Sequence, residues 1–371
     1  MSFQPAHISE VQTPALVIDG AIARQNIATM AASIPGTRLR PHMKATKCTA
    51  LAREQVRAGH TTFTCATPRE IVGMVKAGVG IDLLLANESV DAIRLEEMAA
   101  LQDQALITVA IDSEETLQAA HVAGIQHVLI DVNVGLPRCG IAPELAGPLA
   151  DKARALGKTV RGVMGYEGHL MMVAENSERL AKVEACMALL RAAANDVGGD
   201  IISAGGTGTY NLHGNTGVTE IQAGSYSLMD TQYAQLGLPF AQAVFVVGTV
   251  ISSNPKWAVI DVGLKSLGMD HGNPSIDGHA VWFCSDEHTT FSPNEGAPPQ
   301  VGTRIRVTPA HIDPTVAQHE AAWIVSSDEI VVARRANNRL HAYIVPYATG
   351  QILHKGAQMT KCLHVYALVR C

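Results

Sequence analysis

The chain has 371 residues, 47% hydrophobic and 17% charged, with a formal net charge of −6. That length exceeds one ordinary core and predicts more than one structural unit. The mildly acidic balance leaves no broad basic field, which argues against nucleic acid or an anionic membrane as partner.

No apolar run reaches the roughly 20 residues that span a bilayer. The N-terminal "MSFQPAHISEVQTP" lacks the basic-then-apolar order of a secretory signal. Seven cysteines, odd in number and without a CxxC pair, read as reduced thiols of a cytoplasmic protein.

In chain order, "ALVIDG" at 15–20 reads as an early strand that precedes the barrel and could pair with it. Eight short β-branched runs come next, at 38–44, 61–66, 81–87, 105–112, 127–133, 160–166, 200–205 and 218–224. Amphipathic Ala/Leu-rich stretches such as "SERLAKVEACMALLRAAAN" separate most of them. Alternating strands and helices predict parallel βα units, and eight strands close a barrel. After about residue 245 the helical period fades. Short runs such as "AVFVVGTVIS", "WAVIDVG" and "RIRVTPAH" alternate with Gly, Pro, Asn and Asp, which predicts a mostly antiparallel β unit. "SPNEGAPPQVG" at 292–302 reads as a surface loop.

Three clusters carry candidate chemistry. "RLRPHMKATK" crowds Arg38, Arg40, His42, Lys44 and Lys47 at the end of the first barrel strand, either as a solvated rim or as the setting of one lysine beside an anionic cofactor. Lys44 faces the barrel mouth on this reading, and Lys47 is solvated. In βα barrels phosphate binds after strands seven and eight. There lie "SAGGTGTYN" and "QAGSYSLMD", where the N–H groups of Gly206, Thr207, Gly208, Gly224 and Ser225 could cradle an anion. A phosphate cradle with a lysine points to pyridoxal phosphate. The third cluster is "PAHIDPT". On a strand, His311 and Asp313 would leave the same face and offer an imidazole and a carboxylate to Mn²⁺, Mg²⁺, Co²⁺ or Zn²⁺. His319, Glu320 and the "SDEH" trio Asp286, Glu287 and His288 are substrate-facing groups or polar turns.

The ordered set "RPHMKATK", "DVNVGLPRCGI", "GYEGH", "GGTGTY", "VTEIQAGSYSLMD", "DVGLKS", "SDEH" and "PAHIDPT" resembles the D-threonine aldolase and D-serine dehydratase family of fold-type III pyridoxal-phosphate enzymes, from residue 13 to about 333. The resemblance implies an alanine racemase-type (β/α)8 barrel over residues 22–243. Residues 1–21 and 244–371 would form the β domain that carries the metal ligands. It implies a homodimer acting on a small D-amino acid. Carried over by motif, Lys44 is the Schiff-base lysine, Arg138 contacts the cofactor's phenolic oxygen and Tyr166 stands beside the ring. The "GGTG" and "GSY" loops, with Tyr226, hold the phosphate, and His311 and Asp313 hold the metal. Aldolase members carry His-x-Asp and dehydratase members His-x-Cys, so "AHIDPT" implies retro-aldol cleavage to glycine and an aldehyde. The alternatives are a D-serine or D-3-hydroxyaspartate dehydratase, an amino-acid racemase and a cofactor carrier. Two positions depart from the family: Thr46 stands where it carries histidine, as does Met172, which leaves His169 or a metal-bound hydroxide as the candidate base.

Overall fold

The computed structural model describes residues 6–326 in full and the backbone of residues 331–336. The unusual ending from about 334 therefore falls, beyond residue 336, outside the described residues. Strand β1 (Ala15–Asp19) comes first, followed by β2 (Thr62–Cys65), β3 (Asp82–Leu85), β4 (Leu106–Ile111), β5 (His127–Asp131), β6 (Thr159–Met164), β7 (Ile201–Ala204) and β8 (Glu220–Ile221). Strands β2 to β8 form one parallel sheet in sequential order. Parallel neighbours need long crossovers, and helices supply them. Their starts are written locally. Thr67 caps helix Pro68–Lys76 by accepting from the Glu70 N–H, with Pro68 in the first turn where its missing N–H costs nothing. Ser113 and Thr116 form a reciprocal capping box on Glu114–Val122.

Seven strands stand where eight were expected; the difference lies at residues 38–44. Gly36–Arg38 is a 3-10 turn, and Pro41 interrupts any ladder because it has no N–H. Leu39 still bridges Ile221 of β8, and His42 bridges Thr64 of β2. Arg40 N–H donates to Ile221 at 2.9 Å, and Thr64 N–H donates to Pro41 at 2.9 Å. This irregular segment thus joins the first and last strands and closes the ring.

The basic cluster separates in space. Arg40 points away from the mouth. It is buried against Glu220 at 2.8 Å and Asp82 at 3.0 Å, near the N-terminal ends of β8 and β3. Arg161 also grips Asp82, at 2.6 Å. Burial alone would raise the Asp82 carboxyl, but the two guanidiniums outweigh it and hold it below its ordinary value. Lys47 is not solvated: it is largely buried and paired with Glu70. Only His42 and Lys44 of the cluster reach the mouth.

The second sheet contains β9 (Val244–Ser253), β10 (Ala258–Ile260), β11 (His279–Cys284), β12 (Thr289–Pro293), β13 (Arg304–Val307), β14 (Ala321–Val325) and β15 (Val331–Ala336). Strand β1 belongs here and not to the barrel. It runs antiparallel to β9 and parallel to β14. The core of this sheet takes in Ala45, Cys48 and Leu51 from the barrel side together with Val244, Ile260, Val307 and Ile312. That shared apolar cluster seats the segment after Lys44 against the segment that carries His311.

Candidate active site

At the C-terminal ends of the barrel strands lies a cavity of about 460 Å³. Lys44, Arg138, Tyr166, Gly206, Thr207, Gly224, Ser225, His311 and Asp313 all line it, so sequence-distant motifs meet in one place. The Lys44 Nζ lies 3.6 Å from Asp313 Oδ2 and 5.8 Å from the centre of the Tyr166 ring. Arg138 approaches the same ring, its Cζ 5.3 Å from the centre. The His42 Nδ1 accepts the Lys44 N–H at 3.3 Å. Burial first, then the nearby charges of Lys44, Lys47 and Arg138, push the His42 imidazole well below its ordinary value, so it is neutral at pH 7. Burial likewise raises the Tyr166 phenol, which stays protonated.

The two glycine turns present donors. Among the described residues, the N–H groups of Thr207, Gly208, Gly224 and Ser225 donate to no protein acceptor. Buried donors without partners are costly, and an anion satisfies them. The Thr207 Oγ1 accepts the Tyr226 N–H at 3.0 Å, which leaves its own proton free to donate into the cavity. Gly205 has φ of +82°, which an L side chain resists. At Gly224 a Cβ would lie 2.5 Å from the His42 carbonyl oxygen, so only glycine lets the two walls approach.

Beneath the first turn is a buried network that sequence reading missed. Glu167 is fully buried beside Tyr166. Its carboxylate accepts from Gly205 N–H at 3.2 Å, Thr209 Oγ1 at 2.6 Å and His213 Nε2 at 3.1 Å. Thr209 in turn accepts the Gly206 N–H at 3.2 Å. Burial would raise the Glu167 carboxyl, but His213 and Thr209 together hold it below its ordinary value. The sequence signal was a carboxylate directly after the site tyrosine, whose buried partners Thr209 and His213 lie more than 40 positions away.

His311 and Asp313 do not lie on a strand. Ile312–Gln318 is a helix that starts directly after His311, with Asp313 and Pro314 in its first turn, where an acid and a proline are both favoured. Both side chains line the cavity from that helix start. The Asp230 carboxylate ties this start to the second glycine turn, accepting the N–H groups of Ile312 at 3.2 Å and Tyr233 at 2.9 Å. The Asp313 Oδ1 is buried and has no hydrogen-bond partner. A divalent cation suits that orphan oxygen, with the His311 imidazole lining the same cavity. Asp270 and His271, from "GMDHGNP", approach the same place and were not foreseen. The Asp270 Oδ2 lies 2.7 Å from His311 Nδ1, and the His271 ring stacks on the His311 ring at 4.0 Å and 7°. Ligand atoms of these three residues lie within 4.8 Å of one another.

Several expected residues sit elsewhere. Gly208 lies behind the cavity lining, held by close approach to Met171: a Cβ there would meet the Met171 carbonyl oxygen at 2.3 Å. The Tyr226 ring is in the core, against Phe240 and hydrogen-bonded through its hydroxyl to Gln55, so its side chain faces no cavity. His169 is exposed and covers Gly135, outside the lining. Asp286 and Glu287 form an exposed turn paired with Lys265. Met172 does line the cavity, whereas Thr46 is buried away from it.

Comparison with known proteins agrees with this architecture. The alanine racemase N-terminal domain family matches residues 18–232, and the putative serine dehydratase domain matches residues 243–325. A D-threonine aldolase of Arthrobacter sp. is 34% identical over 345 residues, covering 86% of this chain and 90% of that one. The chain belongs to the D-threonine aldolase and D-serine dehydratase family of alanine racemase-like enzymes. A 3-hydroxy-D-aspartate aldolase of Paracoccus denitrificans is 29% identical, covering 85% of this chain and 89% of its own. The crystal structure of a D-threonine aldolase from Filomicrobium marinum superposes with a TM-score of 0.83 at 32% identity, covering 90% of this chain and 96% of that one. Like the members it resembles, the chain is a lyase.

Proposed function

We propose that this lyase uses pyridoxal phosphate and a divalent cation to cleave D-3-hydroxy-amino acids of the D-threonine type into glycine and an aldehyde. One observation carries the proposal. A lysine amine, the unpaired backbone N–H groups of Thr207, Gly224 and Ser225, an imidazole and a carboxylate with one orphan oxygen all line a single cavity. Lys44 would hold the cofactor's aldehyde end. Thr207, Gly224 and Ser225 would hold its phosphate, with Gly208 backing the turn, and Arg138 and Tyr166 its ring. His311 and Asp313 would hold the cation, with Mn²⁺, Mg²⁺ or Co²⁺ suiting the carboxylate and Zn²⁺ the imidazole. When bound, the cofactor supplies an electron sink and the cation a Lewis acid for the β-hydroxyl.

The protein's own groups do the positioning. Asp313 restrains the Lys44 ammonium at 3.6 Å, keeping that amine where it can move a proton at the substrate's α-carbon. Neutral His42 adds no repulsion toward the cationic groups around it. Tyr166 and Tyr233 stay protonated, as burial demands, and can donate but not accept a proton. The exposed position of His169 outside the cavity lining supports a group at the cavity wall as the acceptor of the β-hydroxyl proton.

The same proposal takes residues 22–243 as the cofactor-holding unit, with 1–21 and 244–371 supplying the cation ligands. It takes the protein as a cytoplasmic homodimer, supported by family resemblance and the cysteine pattern. Among the described residues no helix is long and apolar enough to cross a membrane. The test is a product assay with D-threonine in the presence of cofactor and Mn²⁺. Glycine and acetaldehyde, abolished by a chelator, are expected. Formation of 2-oxobutanoate and ammonia would assign the dehydratase reading instead, and chelator-indifferent turnover would remove the cation from the account.

A further inference from the structure

Resting on the cation-site reading above, we infer that Asp270 is the positioning carboxylate of His311: it fixes the ring's tautomer and orientation so that Nε2 is the coordinating nitrogen. The Oδ2 of Asp270 lies 2.7 Å from His311 Nδ1, the length of a strong charge-assisted hydrogen bond. A proton held on Nδ1 puts the lone pair on Nε2. Asp270 does not line the cavity, whereas His311 does, so the carboxylate stands behind the ring and the coordinating face looks inward. Asp270 is also 55% exposed, a poor place for a ligand to an ion that must meet a substrate inside. Asp313, with its side chain only 17% exposed and one oxygen unpartnered, is the carboxylate that faces the ion. Metal-bound histidines commonly donate their other N–H to such a carboxylate.

The loop that brings Asp270 there is built for it. Gly268 bridges His311 as an antiparallel pair, and its N–H donates to Thr315 Oγ1 at 2.8 Å. A Cβ on Gly268 would lie 2.2 Å from Pro314, so this close docking requires glycine. His271 then stacks flat on His311 and blocks ring rotation from one side. His271 Nε2 lies 3.8 Å from the same Asp270 oxygen, so the stacked ring also holds that carboxylate in place beside His311.

The test uses cofactor-loaded protein stripped of metal and titrated with Co²⁺ alone, followed by calorimetry and by the visible Co²⁺ absorption bands. Asp270→Ala is expected to weaken Co²⁺ binding by about 10–100-fold, with band positions kept. Asp270→Asn, whose amide oxygen still accepts from Nδ1–H, is expected to lose less than Asp270→Ala. His311→Ala is expected to lose binding and bands together. Unchanged affinity in Asp270→Ala, with His311→Ala defective, would overturn the positioning role alone. Asp270→Ala behaving like His311→Ala, bands included, would make Asp270 a ligand and also overturn it. Wild-type binding by His311→Ala would instead remove the cation-site reading beneath it.

Discussion

Replacing Glu167 by glutamine tests whether the first glycine turn is held from below. The carboxylate takes three hydrogen bonds, from Gly205 N–H on one oxygen and from Thr209 and His213 on the other. A glutamine offers one oxygen and one NH₂. Either way round, its NH₂ faces at least one buried donor, which loses its acceptor. An unsatisfied buried donor costs about 1–3 kcal/mol, and the surviving bonds lose their charge assistance, so a total of about 3 kcal/mol is expected. Thermal melting should fall by several degrees, and cofactor affinity should fall with it, because Gly205 and Gly206 lose their anchor. The pH dependence has a definite sign. The folded-state carboxyl sits below its ordinary value of 4.5, so its contribution is present above that value and is lost as pH falls through the depressed folded value. The gap in melting temperature between wild type and Glu167→Gln should be constant near neutrality and shrink below about pH 4.5. A variant that melts with the wild type and binds cofactor equally well would refute this account of the turn.

Other perturbations test the same geometry. Gly224→Ala puts a methyl 2.5 Å from the His42 carbonyl oxygen. Overpacking of about 1–3 kcal/mol should appear as weaker cofactor binding in a folded protein, read by equilibrium dialysis. His169→Ala should leave kcat/KM within about twofold, since a positioned general base contributes about 10²–10⁴-fold and this ring is outside the cavity; steady-state kinetics decides. Arg40→Ala strands Glu220 in the core and should cost about 3–5 kcal/mol by the melting curve, with little effect on turnover of protein that remains folded.

What the sequence revealed tracks how local each determinant is. The βα alternation was legible because each strand and its crossover helix are written in consecutive residues. Lys44 and the glycine turns were legible because strand ends in a parallel barrel share one face, whereas Arg138 and Tyr166 came only with the family resemblance. The fate of Arg40 was not legible. Its choice between the mouth and the core depends on Glu220, 180 positions away. His311 and Asp313 were placed on a strand because they follow the short run "RIRVTPAH", yet Pro314 and Asp313 favour a helix start, and the first-turn preference prevailed. Tyr226 was read from its neighbours in the turn, whereas its ring follows the core partners Phe240 and Gln55. Asp270 and His271 gave only a loop signal, and their meeting with His311 depends on the docking of Gly268 against Pro314.

The central claim is that one amine in this cavity carries the cofactor. Borohydride reduction of the purified protein, followed by proteolysis and mass spectrometry of the peptides, tests it most directly. The account predicts a phosphopyridoxyl group on Lys44 and on no other lysine. The same group on Lys47 or another lysine, with Lys44 unmodified, would contradict it.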